Sequence, residues 1–339
     1  MDEVPVRVAV VGAGSWGTTL ARHLARKGCP VRLWAYEAAV VEEIRTHGEN
    51  RSYLPGVELP EGLEATGDLA EGVEGAGLVL SVSPSQHVAG VMGKAAPHID
   101  PDALVVSASK GIEFATGRRM GEVLEAVLSP RQMEGFTVLS GPSFAVEVAR
   151  DQPTAVAVAS DSVEARRRVQ ELFQTEHFRV YTNPDVVGVE LGGALKNVVA
   201  LAAGVVSGLG FGHNTLAALI TRGLAEIRRF GVALGARAST FAGLAGVGDL
   251  VLTCTGDLSR NRTVGRRLGQ GESLDAILGE MTAVAEGVKT AEAVHELAAR
   301  HGVEMPISSE VYAILYHGRS PAEAVRNLMM REPKPEEWA

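Results

Sequence analysis

Cysteine is close to absent. Cys29 and Cys254 are the only two in 339 residues. They stand far apart and in no metal-ligand spacing, which excludes a disulfide framework and a zinc site and makes a reducing compartment the default. A basic excess is lacking too: 32 Lys and Arg face 41 Asp and Glu, a net charge of -9. That argues against nucleic acid or an anionic membrane as the main partner, while leaving room for a local basic pocket that takes a phosphate. No basic segment opens the chain. Asp2 and Glu3 stand there, so the apolar residues that follow read as a first strand, not a signal peptide, and a cytoplasmic protein is expected. The longest apolar stretch, around Leu191–Ile220, is broken by Lys196, several glycines, His213 and Asn214. It reads as a helical core element, and no integral membrane segment is expected. Repeats and low-complexity segments are missing, and the tail Glu332–Ala339 reads as a frayed end. What remains is 46% apolar and 22% charged, an ordinary globular composition on a chain long enough for two domains.

The chain is organised around Val8-Ala9-Val10-Val11-Gly12-Ala13-Gly14-Ser15-Trp16-Gly17. An apolar run, the pattern of a strand buried on both faces, turns through Gly12-x-Gly14-x-x-Gly17 into an amphipathic run that ends near Lys27-Gly28. Strand, glycine turn and helix form the context of a dinucleotide fingerprint. Gly12 allows the tight turn, Gly14 lets a pyrophosphate approach the backbone, and Gly17 lets helix and strand pack closely. The helix start, with Ser15 and Trp16, offers N–H groups and a positive dipole end to phosphate.

Further strands are expected at 31–35, 78–82, 104–108 and 137–139, with closing strands at 154–159 and 178–182. Alternation with helices predicts a parallel, doubly wound, Rossmann-like sheet. Ligands of such sheets sit beyond the carboxyl ends of the strands. Gly12–Gly17, Ser83-Pro84, Lys110-Gly111 and Gly141–Ala145 all fall at such ends and should converge on one crevice. Tyr36 and Glu37 follow the second strand, facing the adenosine ribose. An acid there favours NAD, but Glu37 also reads as a first-turn acid of the next helix. Arg51 or Tyr53, in the loop 50–56, could reach the cofactor or sit in solvent.

The composition changes at 184–191, and we place the domain boundary at 190: a dinucleotide-binding domain over 1–190 and an all-α domain over 191–339. Helices are expected at 191–209, 215–234, 263–269, 273–281, 290–300, 308–317 and 321–330. Lys196 sits inside a run of small and apolar residues, Gly192-Gly-Ala-Leu-Lys-Asn197. A buried ammonium must be paired or have its pKa lowered, and a lysine so tuned can exchange a proton near neutrality. The bland alternative is a packed stem with its head in solvent. Asp249, in Gly246-Val-Gly-Asp-Leu250, could hold Lys196, bond a substrate hydroxyl or cap a helix. Ser259-Arg-Asn-Arg262 places hydroxyl, guanidinium and amide donors at a helix start, an anion site in which only one of Arg260 and Arg262 need serve.

These segments together resemble the bacterial NAD(P)-dependent glycerol-3-phosphate dehydrogenases. The pieces that carry the resemblance are Gly12-Ala-Gly-Ser-Trp-Gly-Thr18, Ser109-Lys-Gly111, Ser140-Gly-Pro-Ser-Phe-Ala145, Gly192-Gly-Ala-Leu-Lys-Asn197, Leu219-Ile-Thr-Arg-Gly-Leu-Ala-Glu226, Gly246-Val-Gly-Asp-Leu250, Ser259-Arg-Asn-Arg262, Ala285-Glu-Gly287 and Met305-Pro-Ile307. They run in the family's order over nearly the whole chain. The resemblance implies sn-glycerol 3-phosphate and dihydroxyacetone phosphate as substrates, NAD or NADP as cofactor, and a supply of glycerol 3-phosphate to phospholipid synthesis. It implies Lys196 as the proton acceptor in oxidation. Ser15, Trp16, Lys110, Ala145, Arg260 and Glu286 would touch the cofactor, together with Tyr36, Tyr53 and Val284. Lys110, Gly141, Ser143, Lys196, Asp249, Ser259, Arg260 and Asn261 would line the substrate. Many members carry a basic residue where this chain has Tyr36 followed by Glu37, a departure that bears on NADP.

The expected enzyme is thus a two-domain dehydrogenase, metal-free, in which the helical domain closes the crevice and supplies Lys196. Its apolar helices lead us to expect a homodimer. Two rivals share parts of the pattern: another two-domain dehydrogenase acting on a hydroxy acid, and a non-catalytic nucleotide sensor, which would need neither Lys196 nor the anion cluster.

Overall fold

A computed structural model describes residues 6–281 and 285–336 of the chain. The chain divides into two compact units. One runs up to Lys110 and resumes over Arg118–Val186; the other takes Gly111–Gly117 and the residues from Val187 on.

The first unit is built on an eight-stranded sheet. Its strands are β1 Val8–Val11, β2 Val31–Trp34, β3 Leu63–Thr66, β4 Leu78–Ser81, β5 Leu104–Ser107, β6 Thr137–Ser140, β7 Thr154–Ala159 and β8 Phe178–Asn183, in the order β3-β2-β1-β4-β5-β6-β7-β8. The strands run parallel on both sides of β1, but their sequence order descends from β3 to β1 and then ascends from β4, so β1 and β4 mark the topological switch point at which such sheets bind ligands. β1 is buried at every position. The helix Ser15–Arg26 covers it with Leu20, Ala21, Leu24 and Ala25, the i, i+4 stripe that an amphipathic helix turns to a core.

Two features depart from the parallel sheet expected from the sequence. β7 runs antiparallel to β6, although β7 and β8 are parallel to each other. The connection from β6 contains only the short helix Ala145–Ala149. The chain therefore re-enters the sheet from the same end of β6 that it left. β3 is the second departure: with Leu63 and Ala65 alternating around exposed Glu64, it is too short to stand out as a pattern. At the opposite edge, the outward polar groups of Phe178 and Val180 in β8 are occupied. Thr175 exchanges two hydrogen bonds with Phe178, through its N–H at 3.0 Å and its Oγ1 at 3.1 Å. Gln170 donates to the Val180 carbonyl at 2.7 Å, and Gln174 accepts from the Val180 N–H at 2.9 Å.

The second unit is helical, with no strand among the described residues. Its axis is the helix Val186–Gly208, of which residues 188–206 are all buried. By length and composition this helix could cross a membrane; enclosed on every side, it is a core helix. Its far end crosses the helix Arg260–Gly269 with backbones in contact. A Cβ on Gly204 would lie 2.1 Å from the Arg262 carbonyl oxygen, and one on Gly265 would lie 2.0 Å from that of Leu201. The segments 238–242 and 244–248 and the helix Asp249–Thr255 complete the elements that sequence periodicity left unmarked. Asp249 opens that last helix; Gly248 stands at its cap.

Two motifs of the sequence meet in a single contact. Glu226, 4% exposed, accepts hydrogen bonds from the N–H groups of Ile307 at 2.6 Å and Ser308 at 3.2 Å and from Ser308 Oγ at 3.3 Å. The carboxylate thereby caps the helix Pro306–Tyr316 from the side. Burial pushes its carboxyl from 4.5 up to about 7, against the pull of the Ile307 and Ser308 donors and of Arg229.

Two predictions follow from this packing. Glu226 ionises less readily folded than unfolded, so its contribution to stability is complete below pH 4.5 and lost as pH rises through 7. Urea unfolding at pH 5 and pH 8 should show the protein losing about 2.5 kcal/mol relative to its Glu226→Gln variant over that interval; parallel pH curves would refute this. Gly204→Ala should destabilise by about 3 kcal/mol because only backbone can yield. Gly90→Ala, in the helix Val88–Ala95 with nothing within 4 Å of a new Cβ, should stabilise by about 0.5–1 kcal/mol. Equal melting temperatures for the two variants would contradict the crossing described.

Candidate functional site

The glycine turn gives its three glycines different reasons to be there. Gly12 has φ +125°, and a Cβ on it would lie 2.9 Å from the Val82 carbonyl. A Cβ on Gly17 would lie 1.9 Å from the Gly12 oxygen. Both are demanded by the fold. A Cβ on Gly14 would meet nothing within 4 Å, so the fold does not demand that glycine. Gly14 is the N-cap of Ser15–Arg26, and no side chain caps the helix start; its first N–H groups have no intrahelical partner. The indole N–H of Trp16, buried beside them, has no hydrogen-bond partner among the described residues. The turn is braced from behind by Asn50, which is fully buried and donates 2.8 Å hydrogen bonds to the Ala13 carbonyl and Thr18 Oγ1. Sequence reading saw only a loop at Asn50. An asparagine opening a polar loop gives no signal of a partner 37 residues upstream.

The ends of β1, β4, β5 and β6 are joined in order. Ser83 Oγ donates to the Val11 carbonyl at 3.2 Å, and Ser109 Oγ to that of Ser83 at 2.6 Å. Lys110 Nζ and Ser143 Oγ both donate to the Gly141 carbonyl at 3.0 Å. Gly141 has φ +144°, and a Cβ on it would lie 2.9 Å from the Val156 Cα. Thr19 Oγ1 donates to the Ala145 carbonyl at 3.1 Å. Lys110, Gly141 and Ser143 therefore form one cluster, with Ala145 tied to the first helix. Past the end of β2, Tyr36 is 83% exposed with its ring edge-on to Trp34. The Tyr53 hydroxyl donates to Glu37 Oε1 at 3.0 Å.

In the helical unit, Lys196 is 7% exposed and its ammonium meets the Asp249 carboxylate, which is 1% exposed. Lys196 Nζ also donates to Thr253 Oγ1 at 3.0 Å, and that hydroxyl donates to the Asp249 carbonyl at 2.6 Å. The lysine is thus paired inside the fold and does not reach out to solvent. In the sequence Thr253 carries one signal, its i, i+4 spacing from Asp249, which puts both on one face of the helix Asp249–Thr255. Cys254 beside it is a core residue, its thiol pushed up to about 12 by burial.

Ser259 caps the helix Arg260–Gly269, its Oγ accepting from the Arg262 N–H at 3.2 Å and keeping its own proton to donate. The two arginines differ. Arg262 is ion-paired to Asp257 at 2.6 Å, whereas Arg260 makes no hydrogen bond or ion pair among the described residues, Glu286 being the opposing charge it feels. Asn261 bridges inward: its Nδ2 donates to Asn197 Oδ1 at 3.0 Å, and its Oδ1 accepts from the Gly287 N–H at 2.9 Å. It joins the helix of Lys196 to the start of the helix Glu286–His301. Val284 lies outside the described residues. Among those residues no group of three or more His, Cys, Asp or Glu is placed to hold a metal ion.

Comparison with known proteins covers both units. The N-terminal model of NAD-dependent glycerol-3-phosphate dehydrogenase matches residues 7–166, and the C-terminal model matches residues 185–326. The chain is 58% identical over 330 residues to the glycerol-3-phosphate dehydrogenase, NAD(P)+, of Citrifermentans bemidjiense, covering 97% of this chain and 98% of the relative. It is likewise 58% identical over 332 residues to that of Geobacter sulfurreducens, with 98% and 99% covered. The crystal structure of glycerol-3-phosphate dehydrogenase from Coxiella burnetii superposes with a TM-score of 0.92 at 42% identity, over 96% of this chain and 99% of that one. A ketopantoate reductase from Ralstonia eutropha shares the fold alone, with a TM-score of 0.60 at 17% identity. Matched in its N-terminal and C-terminal halves alike, this chain belongs to the NAD-dependent glycerol-3-phosphate dehydrogenase family.

Proposed function

We infer that this chain is an oxidoreductase that interconverts sn-glycerol 3-phosphate and dihydroxyacetone phosphate with NAD(P)(H). The observation that carries the reading is the Lys196 ammonium, enclosed by apolar helix and held between Asp249 and Thr253. A purely structural buried ion pair stabilises little over apolar residues of the same volume, and a non-catalytic sensor would have no use for one. The dinucleotide fits the first unit: an open approach at Gly14, an uncapped helix start and the unpartnered Trp16 N–H all suit an anionic ligand.

Ser15, Trp16, Lys110 and Ala145, with Tyr36 and Tyr53 toward the ribose, would hold the cofactor from the first unit; Arg260, Val284 and Glu286 would do so from the second. Bound nicotinamide supplies the hydride in reduction and takes it in oxidation. The chain's own residues manage charge and position. In reduction the Lys196 ammonium stabilises negative charge developing on oxygen and gives up a proton to it, becoming a neutral amine; in oxidation that neutral amine takes the hydroxyl proton and becomes the ammonium again. Asp249 and Thr253 hold the ammonium in one orientation, so that little reorganisation accompanies the transfer. Arg260 and the Ser259 hydroxyl bind the substrate phosphate, with Lys110, Gly141 and Ser143 serving the rest of the substrate. The phosphate contacts supply binding energy remote from the reacting carbon, which fixes that carbon in place. Asn261 supports this set through Asn197 and Gly287. The same reading includes a cytoplasmic homodimer that supplies glycerol 3-phosphate to phospholipid synthesis.

Lys196→Met should lower NAD(P)H-dependent reduction of dihydroxyacetone phosphate by about 10²–10⁴-fold while leaving cofactor affinity close to normal. Near-normal turnover would refute the role of Lys196. Circular dichroism checks that the variant, with Asp249 left uncompensated, is folded. Arg260→Ala should raise KM for dihydroxyacetone phosphate by roughly tenfold or more, the worth of a charge-assisted hydrogen bond. Arg262→Ala should leave that KM within a few-fold, and the reverse pattern would move the anion contact to Arg262.

A further inference from the structure

We propose that this chain selects NADH over NADPH, and that the selection is made by the Glu37 carboxylate, held in place by Tyr53 and referenced through Asn50 to the glycine turn. The proposal rests on the cofactor reading above and adds to it which of the two nucleotides is taken.

Glu37 stands just past the end of β2, twenty positions after Gly17. That is the place, about twenty residues beyond the glycines, from which an acid bonds the adenosine ribose in a dinucleotide fold. The alternative role for Glu37, capping the helix that follows, is not the one it performs. It occupies the N-cap position of Ala38–His47, yet no side-chain cap hydrogen bond is made there. Its Oε1 instead accepts from the Tyr53 hydroxyl at 3.0 Å, which leaves Oε2 to accept from a ribose hydroxyl.

Tyr53 is itself fixed. Its ring packs on the core of the first unit, and its backbone N–H donates to Asn50 Oδ1 at 3.1 Å. The amide nitrogen of the same Asn50 donates to Ala13 O and Thr18 Oγ1 at 2.8 Å. A continuous set of contacts therefore runs from the turn that meets the pyrophosphate to the carboxylate that meets the ribose. The spacing of the two along a bound dinucleotide is built in before any ligand arrives.

Three arginines of the first unit each have a partner of their own. Arg45 Nε donates to the Ala65 carbonyl at 2.9 Å, Arg51 is bonded to Glu49 at 3.3 Å, and Arg32 donates to the Glu71 carbonyl at 2.7 Å. Tyr36 brings no charge. A 2′-phosphate would therefore meet a fixed carboxylate, and like charges forced together are strongly disfavoured. Discrimination of this kind works by repelling the wrong ligand as much as by attracting the right one.

The test is calorimetric titration of the full chain, without substrate, by NADH and by NADPH separately, with kcat/KM for each as a second readout. NADH should bind at least about tenfold more tightly, and the gap should narrow as salt is raised because part of it is charge repulsion. Glu37→Gln keeps an acceptor for Tyr53 but removes the charge, and should bring the two affinities within a few-fold. Tyr53→Phe frees the carboxylate and should weaken NADH while leaving NADPH nearly unchanged. Equal affinities in the unaltered chain, tighter NADPH, or a ratio that Glu37→Gln does not move would each overturn the proposal. Binding of neither nucleotide would instead strike the cofactor reading beneath it, and the proposal with it.

Discussion

The helical unit depends on backbones being allowed to touch. Gly192 lies against the Ala245 carbonyl, where a Cβ would come within 2.3 Å, and Gly204 and Gly208 lie as close to the carbonyls of Arg262 and Arg266. The first contact seats the turn before Asp249 on the helix of Lys196. The other two seat the helix that begins with Arg260. Charge then becomes affordable inside an apolar helix, because the lysine finds a carboxylate and a hydroxyl within reach. Any side chain at these glycines would separate the groups that the chemistry needs together.

In the first unit the same economy of space appears as register. β1, β4, β5 and β6 lie side by side, so the residues after each strand emerge in a row, with serine hydroxyls joining the first three ends and Lys110 joining the third to the fourth. Gly12 and Gly141 take backbone angles closed to other residues at two of these ends. Rigid strands thus hold loops that would otherwise be free to wander, and the ligand-facing groups inherit their precision from the sheet.

Much of this was legible because local chemistry and global fold agree. A buried strand, a glycine turn and a helix have distinct periodicities, and so do the long helices of the second unit. Less legible were features that depend on partners distant in sequence. Asn50 reads as a loop residue until the Ala13 carbonyl is placed behind it. Thr253 reads as one more position in an apolar helix until Lys196 arrives. The direction of β7 has no signature in a local apolar pattern, and β3 carries too few apolar positions to announce itself. Arg260 and Arg262, alternate in sequence, point to different neighbours, but only the position of Asp257 shows which one is engaged.

The edge formed by β8 has a consequence for assembly. The outward N–H and C=O groups of Phe178 and Val180 are already satisfied by Thr175, Gln170 and Gln174. A strand from another molecule would have to strip those side chains away before it could pair with this stretch of the edge. Side chains of the strand's own neighbours thus guard this border of the sheet at Phe178 and Val180, so that continuing the sheet across it would first cost four hydrogen bonds.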